Sequence, residues 1–246
     1  MRFPLPKLIA HRGQNASFPE NTLEAFVAAL ACGAKYLECD IQLTADHIPV
    51  ISHDMSLLKT ADLNINLAQT HYSSLSNISV GEAKRFGDAF PSTDLPRLTD
   101  LIALLRSYPD VLIFIELKQE SFDYFGIELF VDSVLNCLQE DFERCVLISF
   151  NLQALQYLKS KSTIRTGWVI KHLDQASLLA AKQLSPEFMF TKYINCLNSK
   201  HDFSADPWSW VIYESSDPLI VDALIKRGVD FIETDNICQL LNYFPD

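Results

Sequence analysis

The chain lacks the features that favour a membrane or a nucleic acid as its partner. No apolar run reaches the roughly 20 residues that a bilayer-spanning helix needs; the apolar segment Val111 to Ile115 is short and follows Arg106 and Asp110. Its 20 Lys and Arg residues against 31 Asp and Glu residues give a formal charge of -11 at pH 7. Such an acidic surface repels DNA, RNA and anionic membranes. We therefore expect no nucleic-acid partner and no integral membrane segment.

Cysteine motifs and a targeting segment are also missing. None of the six cysteines forms a Cys-x-x-Cys pair, and most lie in apolar segments. This pattern predicts reduced core cysteines. The first seven residues lead straight into an apolar strand and do not resemble a secretory signal. These features together predict a cytoplasmic protein.

Strand-like and helix-like segments alternate along the whole chain, without an internal repeat, a low-complexity segment or a linker. The predicted strands are Leu8–Ala10, Tyr36–Leu43, Ile48–Ser52, Val111–Leu117, Val146–Ser149, Arg165–Ile170, Phe188–Thr191, Trp210–Tyr213 and Phe231–Thr234. The predicted helices are Asn21–Ala31, Leu98–Ser107, Ile127–Leu138, Leu152–Lys159, Gln175–Leu184, Pro218–Arg227 and Cys238–Tyr243. The alternation predicts an α/β protein with a parallel sheet covered by helices.

One of these strands cannot run parallel to the strand before it. Only residues 44–47 separate Ile48–Ser52 from Tyr36–Leu43, whereas a parallel crossover needs about a dozen residues. The two segments are therefore predicted to form an antiparallel hairpin, which brings His53 back beside the second strand. The other strands each precede a helix-length segment, which predicts a (β/α)8 TIM barrel. We expect one domain over residues 1–246, with an insertion at about 54–95 after the hairpin.

Charged side chains follow the apolar part of several predicted strands. Glu38 and Asp40 are two residues apart on one strand, so their carboxylates point to the same face. Two buried carboxylates on one face repel each other, and a bound cation removes that penalty. Glu116 and Lys118 repeat the spacing on another strand. A site of carboxylates alone favours Mg²⁺, Ca²⁺ or Mn²⁺ over zinc.

Two histidines occupy similar positions. His11 ends the first strand and precedes Arg12, and His53 follows the hairpin. Imidazole gains and loses protons near neutral pH, and the cations of Arg12 and Lys118 attract phosphate. The combination predicts hydrolysis of a phosphate ester at a divalent cation. Two structural alternatives remain, because Arg12 could pair with Glu20, and Glu116 could pair with Lys118.

The order and spacing of these motifs resemble the glycerophosphodiester phosphodiesterase family over nearly the whole chain. The similar segments are His11-Arg12-Gly13 with Pro19-Glu20-Asn21-Thr22, Glu38-Cys39-Asp40, Val50-Ile51-Ser52-His53-Asp54, Pro96-Arg97-Leu98, Ile115-Glu116-Leu117-Lys118, Leu147-Ile148-Ser149-Phe150 and residues 228–235. The resemblance implies that one divalent cation is bound, with Mg²⁺ or Ca²⁺ favoured and Mn²⁺ compatible. It implies these roles: Glu38, Asp40 and Glu116 as metal ligands, His11 and His53 as the acid/base pair, and Arg12 and Lys118 as phosphate contacts.

The implied reaction cleaves a small-molecule glycerophosphodiester to an alcohol and glycerol 3-phosphate. Two alternatives are a lysophospholipase D-like enzyme and a catalytically inactive binding protein on the same barrel. The polar composition of residues 54–95 disfavours an acyl groove, and the complete set of histidines and carboxylates disfavours an inactive protein.

Two segments depart from the family pattern. The hairpin turn has Asp46-His47 where the family usually has Asp-Gly, and glycine adopts positive φ more readily than histidine. The family segment that ends in Asn is replaced by a segment from Trp210 to Tyr213. We expect Phe150, Trp210 and Tyr213 to line the mouth of the pocket, where Tyr213 would alter the contacts to the alcohol.

Overall fold

A computed structural model describes residues 7–197 and 199–244. Its strands are Lys7–His11 (β1), Tyr36–Leu43 (β2), Pro49–Ile51 (β3), Leu112–Leu117 (β4), Cys145–Ser149 (β5), Arg165–Ile170 (β6), Phe188–Lys192 (β7), Ser209–Tyr213 (β8) and Phe231–Thr234 (β9). All except β3 run parallel and close into an eight-stranded barrel through the pairing of β1 with both β2 and β9. The predicted (β/α)8 barrel is confirmed.

The helices follow the strands in the expected order. They are Leu23–Ala31 (α1), Leu58–Ala61 (α2), Ala83–Phe86 (α3), Leu98–Leu105 (α4), Gln119–Phe125 (α5), Ile127–Leu138 (α6), Leu152–Lys161 (α7), Gln175–Leu184 (α8), Tyr193–Leu197 (α9), Pro218–Ile225 (α10) and Ile237–Tyr243 (α11). The short helices α2, α3, α5 and α9 were not predicted, because four to seven residues give too little periodicity. Within residues 7–197 and 199–244, no helix has the length and apolar character to cross a membrane.

The predicted hairpin is confirmed, since β3 pairs antiparallel with β2 and Val50 lies opposite Gln42. Its turn places His47 at a φ of 59°, a left-handed conformation in which glycine is more comfortable. The turn therefore holds a residue that is less favourable than glycine in this conformation. Residues 54–95 pack around a separate apolar cluster that includes Val50, Leu57 and Leu67, so this insertion has a small core of its own.

The barrel interior changes from apolar to charged along the strands. Alternate residues of each strand face inward, and the apolar part of the interior consists of Ile9, Phe114, Val146, Ile148, Val169, Phe188, Phe190, Val211 and Phe231. Phe114 lies at the centre of this cluster, with its ring 5.1 Å from that of Phe188 and 6.0 Å from that of Phe231. Two residues further along β1 and β4, the same inward face carries His11 and Glu116. His11 and Glu116 therefore lie directly above the packed apolar residues of the barrel interior.

A sharp turn after β1 fixes the first site residues. Arg12 and Gly13 both have positive φ, at 56° and 82°, and a side chain on Gly13 would lie 2.7 Å from the Cβ of Ala25. Only glycine fits this contact between the turn and α1. Helix α1 then begins after Thr22, whose hydroxyl accepts a hydrogen bond from the Ala25 amide at 3.2 Å.

The expectation that all six cysteines are reduced is wrong for two of them. Cys32, at the end of α1, forms a disulfide with Cys238 in α11, and their Cα atoms are 5.4 Å apart. The sequence separation of 206 residues hid this pairing, because closure of the barrel alone brings the first and last helices together. The other four cysteines are free.

We expect the disulfide to stabilise the fold. Replacing Cys32 and Cys238 together with serine should lower the free energy of unfolding by about 2–5 kcal/mol, since the unfolded chain is no longer closed into a long loop. Guanidinium unfolding of the oxidised protein measures the change, and Cys137→Ser, which removes a free thiol, is the control. Thiol titration of the unreduced, denatured protein should find four free thiols, and a count of six would contradict the disulfide.

Candidate active site

A cavity of about 200 Å³ opens at the C-terminal ends of the barrel strands. Its walls include seven of the residues predicted from the sequence, namely His11, Arg12, His53, Glu116, Lys118, Phe150 and Tyr213. His53 shares this cavity with His11 and Glu116, as the hairpin geometry predicted. Lys192, Glu214 and Glu233 also line it but were not singled out in the sequence.

Three carboxylates converge beside this cavity. The register of the strands places Asp40 next to Glu116, and His11 next to Glu38. One carboxylate oxygen from each of Glu38, Asp40 and Glu116 lies within 4.8 Å of the others. The Oδ1 atom of Asp40 is buried without a hydrogen-bond partner among the described residues. Oxygen ligands at this spacing, one of which accepts no hydrogen bond, fit a hard divalent cation.

Burial gives these carboxylates unequal pKa values. Burial raises the pKa of both Glu38 and Glu116, and the nearby Asp40 carboxylate adds to each increase. Burial alone would also raise the pKa of Asp40, but Arg12 and Lys118 outweigh it and hold that pKa well below its usual range. The ionised state of the whole group therefore needs more positive charge than these two side chains supply, which a divalent cation would provide.

Both cationic side chains contact carboxylates directly. The Arg12 guanidinium contacts Asp40 Oδ2 through Nε at 2.9 Å and Glu20 Oε1 through Nη1 at 3.1 Å. The Lys118 Nζ lies 3.0 Å from Glu116 Oε1 and 3.3 Å from Asp40 Oδ1. Both structural pairings considered from the sequence are thus present. Arginine has five N–H donors and lysine three, so each retains donors for a ligand in the cavity.

Each candidate catalytic histidine has a carboxylate beside its Nδ1 atom. His11 Nδ1 lies 2.7 Å from Asp235 Oδ1, and His53 Nδ1 lies 2.6 Å from Asp54 Oδ1. Burial lowers the pKa of His11, but Glu233 and Asp235 outweigh it, so the net shift is upward. A carboxylate at Nδ1 fixes the ring orientation and favours a proton on that nitrogen, which leaves Nε2 for chemistry.

Glu233 gives the site a fourth buried carboxylate. Its Oε1 atom lies 3.5 Å from His11 Nε2, and burial is the largest cause of its raised pKa. Oxygen or nitrogen atoms of His11, Glu38 and Glu233 form a second group with metal-binding spacing, and this group shares Glu38 with the first.

Sequence reasoning missed the roles of both Asp235 and Glu233. Asp235 does not cap the following helix, because Asn236 caps α11 by accepting a hydrogen bond from the Gln239 amide at 3.4 Å. Their position in the sequence could have indicated these roles. Both lie at the C-terminal end of β9, and the other site residues also lie at the C-terminal ends of strands. A third missed contact is made by Asn21, whose side chain donates to Asp40 Oδ2 at 2.9 Å.

The predicted position of Trp210 is wrong. Its side chain is fully buried among residues of the core outside the barrel, and its indole N–H donates to Asp206 Oδ2 at 2.9 Å. Trp210 and Tyr213 are three residues apart on β8, so alternation sends their side chains to opposite faces. Only Tyr213 therefore reaches the cavity.

Comparisons with known proteins agree with this geometry. The sequence model of the glycerophosphoryl diester phosphodiesterase family matches residues 11–237. The chain is 28% identical to a glycerophosphodiester phosphodiesterase of Caldanaerobacter subterraneus subsp. tengcongensis, with 96% of both chains covered.

Two solved structures share the fold. An Oleispira antarctica phosphodiesterase in complex with the product sn-glycerol-3-phosphate has a TM-score of 0.86 at 23% identity, with 98% of each chain covered. A protein from Silicibacter pomeroyi DSS-3, assigned to the glycerophosphoryl diester phosphodiesterases, has a TM-score of 0.84 at 22% identity. The match covers 96% of this chain and 93% of the Silicibacter pomeroyi chain.

The contact between Asp235 and His11 predicts a measurable pKa change. Asp235→Asn should lower the pKa of His11 in the metal-free protein, because the variant loses a negative charge beside Nδ1. An NMR titration of the imidazole measures this value. Asp206→Asn, which alters a 2.6 Å contact between a carboxylate and Nε2 of another histidine, His201, should leave the pKa of His11 unchanged.

Asp235→Asn should also lower the free energy of unfolding, and the size of this loss should depend on pH. A histidine whose pKa is raised by folding stabilises the protein below its unfolded pKa, and this contribution disappears as the pH rises through the folded value. Asp235→Asn should therefore cost more stability at pH 5 than at pH 9. An unchanged His11 pKa in the variant would show that the contact does not form in solution.

Proposed function

The chain belongs to the glycerophosphoryl diester phosphodiesterase family and is a phosphoric diester hydrolase; we propose that it cleaves glycerophosphodiesters by metal-dependent acid–base catalysis with a pair of histidines. The observation that carries this proposal is the single cavity at which His11, His53, Arg12 and Lys118 lie beside the three carboxylates. The products would be an alcohol and glycerol 3-phosphate. The product bound in the Oleispira antarctica structure supports this assignment.

Each part of the site has a chemical task in this proposal. Glu38, Asp40 and Glu116 would hold one divalent cation, Mg²⁺ or Ca²⁺ first and Mn²⁺ also compatible, and the bound cation supplies positive charge that polarises the phosphoryl oxygens. Spare donors of Arg12 and Lys118 bind the same oxygens as charge develops on them.

The histidines divide the proton transfers between them. One imidazole removes a proton from the attacking water, and the other donates a proton to the departing alkoxide, so the new P–O bond replaces the broken one. Asp235 and Asp54 hold the two rings through Nδ1 at 2.7 and 2.6 Å, so each ring presents Nε2 as the atom that exchanges protons. We further propose that the chain acts as one catalytic domain, because the insertion packs against the hairpin that carries His53.

The size of the cavity favours a small substrate. Its volume of about 200 Å³ is below the roughly 300–1,000 Å³ of most small-molecule pockets, and a phosphodiester with two short alcohols suits such a space.

One observation supports lysophospholipids as a second candidate substrate class. A groove of about 810 Å³ runs along the insertion from Asp54, the neighbour of His53, and exposes Met55 and Leu58 among the basic side chains of Lys59 and Arg85. An acyl chain could lie in this groove while the phosphate occupies the cavity. An inactive binding protein is the least favoured reading, because every proposed catalytic group is in place.

A turnover assay with metal tests the proposed function. With Mg²⁺ or Ca²⁺ the protein should release choline from glycerophosphocholine with a higher kcat/KM than from lysophosphatidylcholine, and EDTA should abolish both reactions. Glu116→Gln should lose most activity and bind metal more weakly, because the cation keeps fewer charged ligands. Glu128→Gln, on the exposed face of α6, is the matched control.

Three results would each change a different part of this proposal. Full activity of Glu116→Gln in excess EDTA would exclude the metal mechanism. A higher kcat/KM for lysophosphatidylcholine would favour the second substrate class. No turnover of any phosphodiester would favour the binding protein.

A mutant cycle tests the histidine pair. His11→Ala and His53→Ala should each lower kcat by at least about 10²-fold, the usual contribution of a general acid or base. The double variant should lose far less than the product of the two single losses, since the two groups act in one reaction cycle. His71→Ala, a substitution on the exposed insertion, should retain the wild-type rate. Wild-type kcat in either single variant would identify that histidine as structural.

A further inference from the structure

The Glu233 carboxylate is buried in the cavity wall without a hydrogen-bond donor of suitable distance. Glu233 is 5% exposed, and the nearest basic nitrogen among the described residues is His11 Nε2 at 3.5 Å, beyond the range of a good hydrogen bond. No other described residue donates a hydrogen bond to its carboxylate. Buried carboxylates normally accept such bonds, because burial without them is costly. Glu233 therefore offers an acceptor to whatever fills the cavity.

Tyr213 offers a donor next to that acceptor. Ile212 pairs with Ile232 between β8 and β9, so the next residues, Tyr213 and Glu233, are neighbours on adjacent strands. Both line the cavity. Burial raises the pKa of Tyr213, and the neighbouring Glu214 and Glu233 carboxylates add to this increase, which keeps the phenol protonated. Across the part of the chain that the structure describes, its hydroxyl has no hydrogen-bond partner.

We propose that Glu233 and Tyr213 form a subsite that binds a hydroxyl group of the substrate's glycerol moiety. An alcohol donates one hydrogen bond and accepts others, so it can donate to the Glu233 carboxylate while it accepts from the Tyr213 phenol. This inference rests on the proposed function, because it assigns a part of the same substrate. The two residues determine specificity and take no part in the proton transfers.

The charges of the cavity favour a hydroxyl over a cationic head group as the ligand here. Glu214, the other carboxylate on this side, is paired with Lys192 Nζ at 2.6 Å. Glu233 faces the His11 imidazole, with Oε1 3.5 Å from His11 Nε2. A quaternary ammonium group is usually held by several aromatic faces, whereas Tyr213 stands beside charged side chains on this wall.

Two substrates that differ only in their hydroxyl groups separate this subsite from the catalytic machinery. The first is glycerophosphocholine, and the second is propylphosphocholine, in which propanol replaces glycerol and choline is retained. A site built around a substrate hydroxyl rejects the analogue that lacks it by a large factor. The wild-type enzyme should therefore prefer glycerophosphocholine by at least about 10²-fold in kcat/KM.

Variants at the two positions should reduce this preference. Glu233→Leu should bring the ratio of the two kcat/KM values close to one, Tyr213→Phe should lower it about tenfold, and Glu233→Gln, which keeps an acceptor oxygen, should retain part of it. Tyr36→Phe removes the same hydroxyl from the opposite end of the barrel, where Tyr36 packs against Phe231 at 5.1 Å, and should leave the ratio unchanged.

The outcomes distinguish this inference from the proposed function. An unchanged ratio in both Glu233→Leu and Tyr213→Phe, with or without a fall in both rates, would overturn the subsite and leave the proposed function standing. Fewer bound Mn²⁺ ions per chain in Glu233→Leu would overturn it too, because Glu233 would then be a metal ligand. If the wild-type enzyme cleaved neither substrate, the proposed function would fail and the subsite with it.

Discussion

The mutual repulsion of buried carboxylates is the constraint on which the rest of the site depends. Glu38, Asp40 and Glu116 approach within 4.8 Å of one another in a region that water cannot fully solvate. Arg12 and Lys118 offset part of this repulsion, and they stabilise Asp40 most strongly. The remaining excess of negative charge favours a bound cation, so the same repulsion that destabilises the carboxylate group would contribute to the proposed metal binding.

The barrel tolerates these buried charges because the residues that stabilise the fold and the charged residues of the site occupy different parts of the structure. The apolar interior around Phe114 and the larger core between strands and helices supply the burial that holds the fold. The charged residues lie one or two positions beyond, at the strand ends. A second set of contacts ties them to the insertion, since Glu20 accepts from Arg12 at 3.1 Å and from Lys59 at 2.6 Å. Glu20 thus links Arg12 to the insertion.

Two neighbouring positions suggest how one family can serve different substrates on the same barrel. The proposed catalysis uses the carboxylates of β2 and β4, His11 at the end of β1 and His53 after β3. Strands β8 and β9 contribute Tyr213 and Glu233 to the cavity wall next to His11. In the proposed subsite, substitutions at these two positions would alter recognition of the glycerol moiety while the groups proposed to act on phosphorus stay in place.

The sequence alone determined the barrel, the hairpin and the core of the site, because each depends on short-range rules. Strand alternation places Glu38 and Asp40 on one face, and a four-residue connection admits only an antiparallel return that brings back His53. Contacts between distant segments required the tertiary structure. Closure of the barrel decides that Asp235 lies 2.7 Å from His11, although 224 residues separate them.

The tertiary structure also decided the disulfide and the orientation of one aromatic side chain. Cys32 and Cys238 meet because the first and last helices become neighbours when β9 pairs with β1. The spacing of the cysteines in the sequence does not predict this disulfide. Trp210 belongs to the outer core because of the register of β8 within the closed barrel. Local periodicity can define an element and its faces, but which face points to the cavity is set only when all the strands are in register.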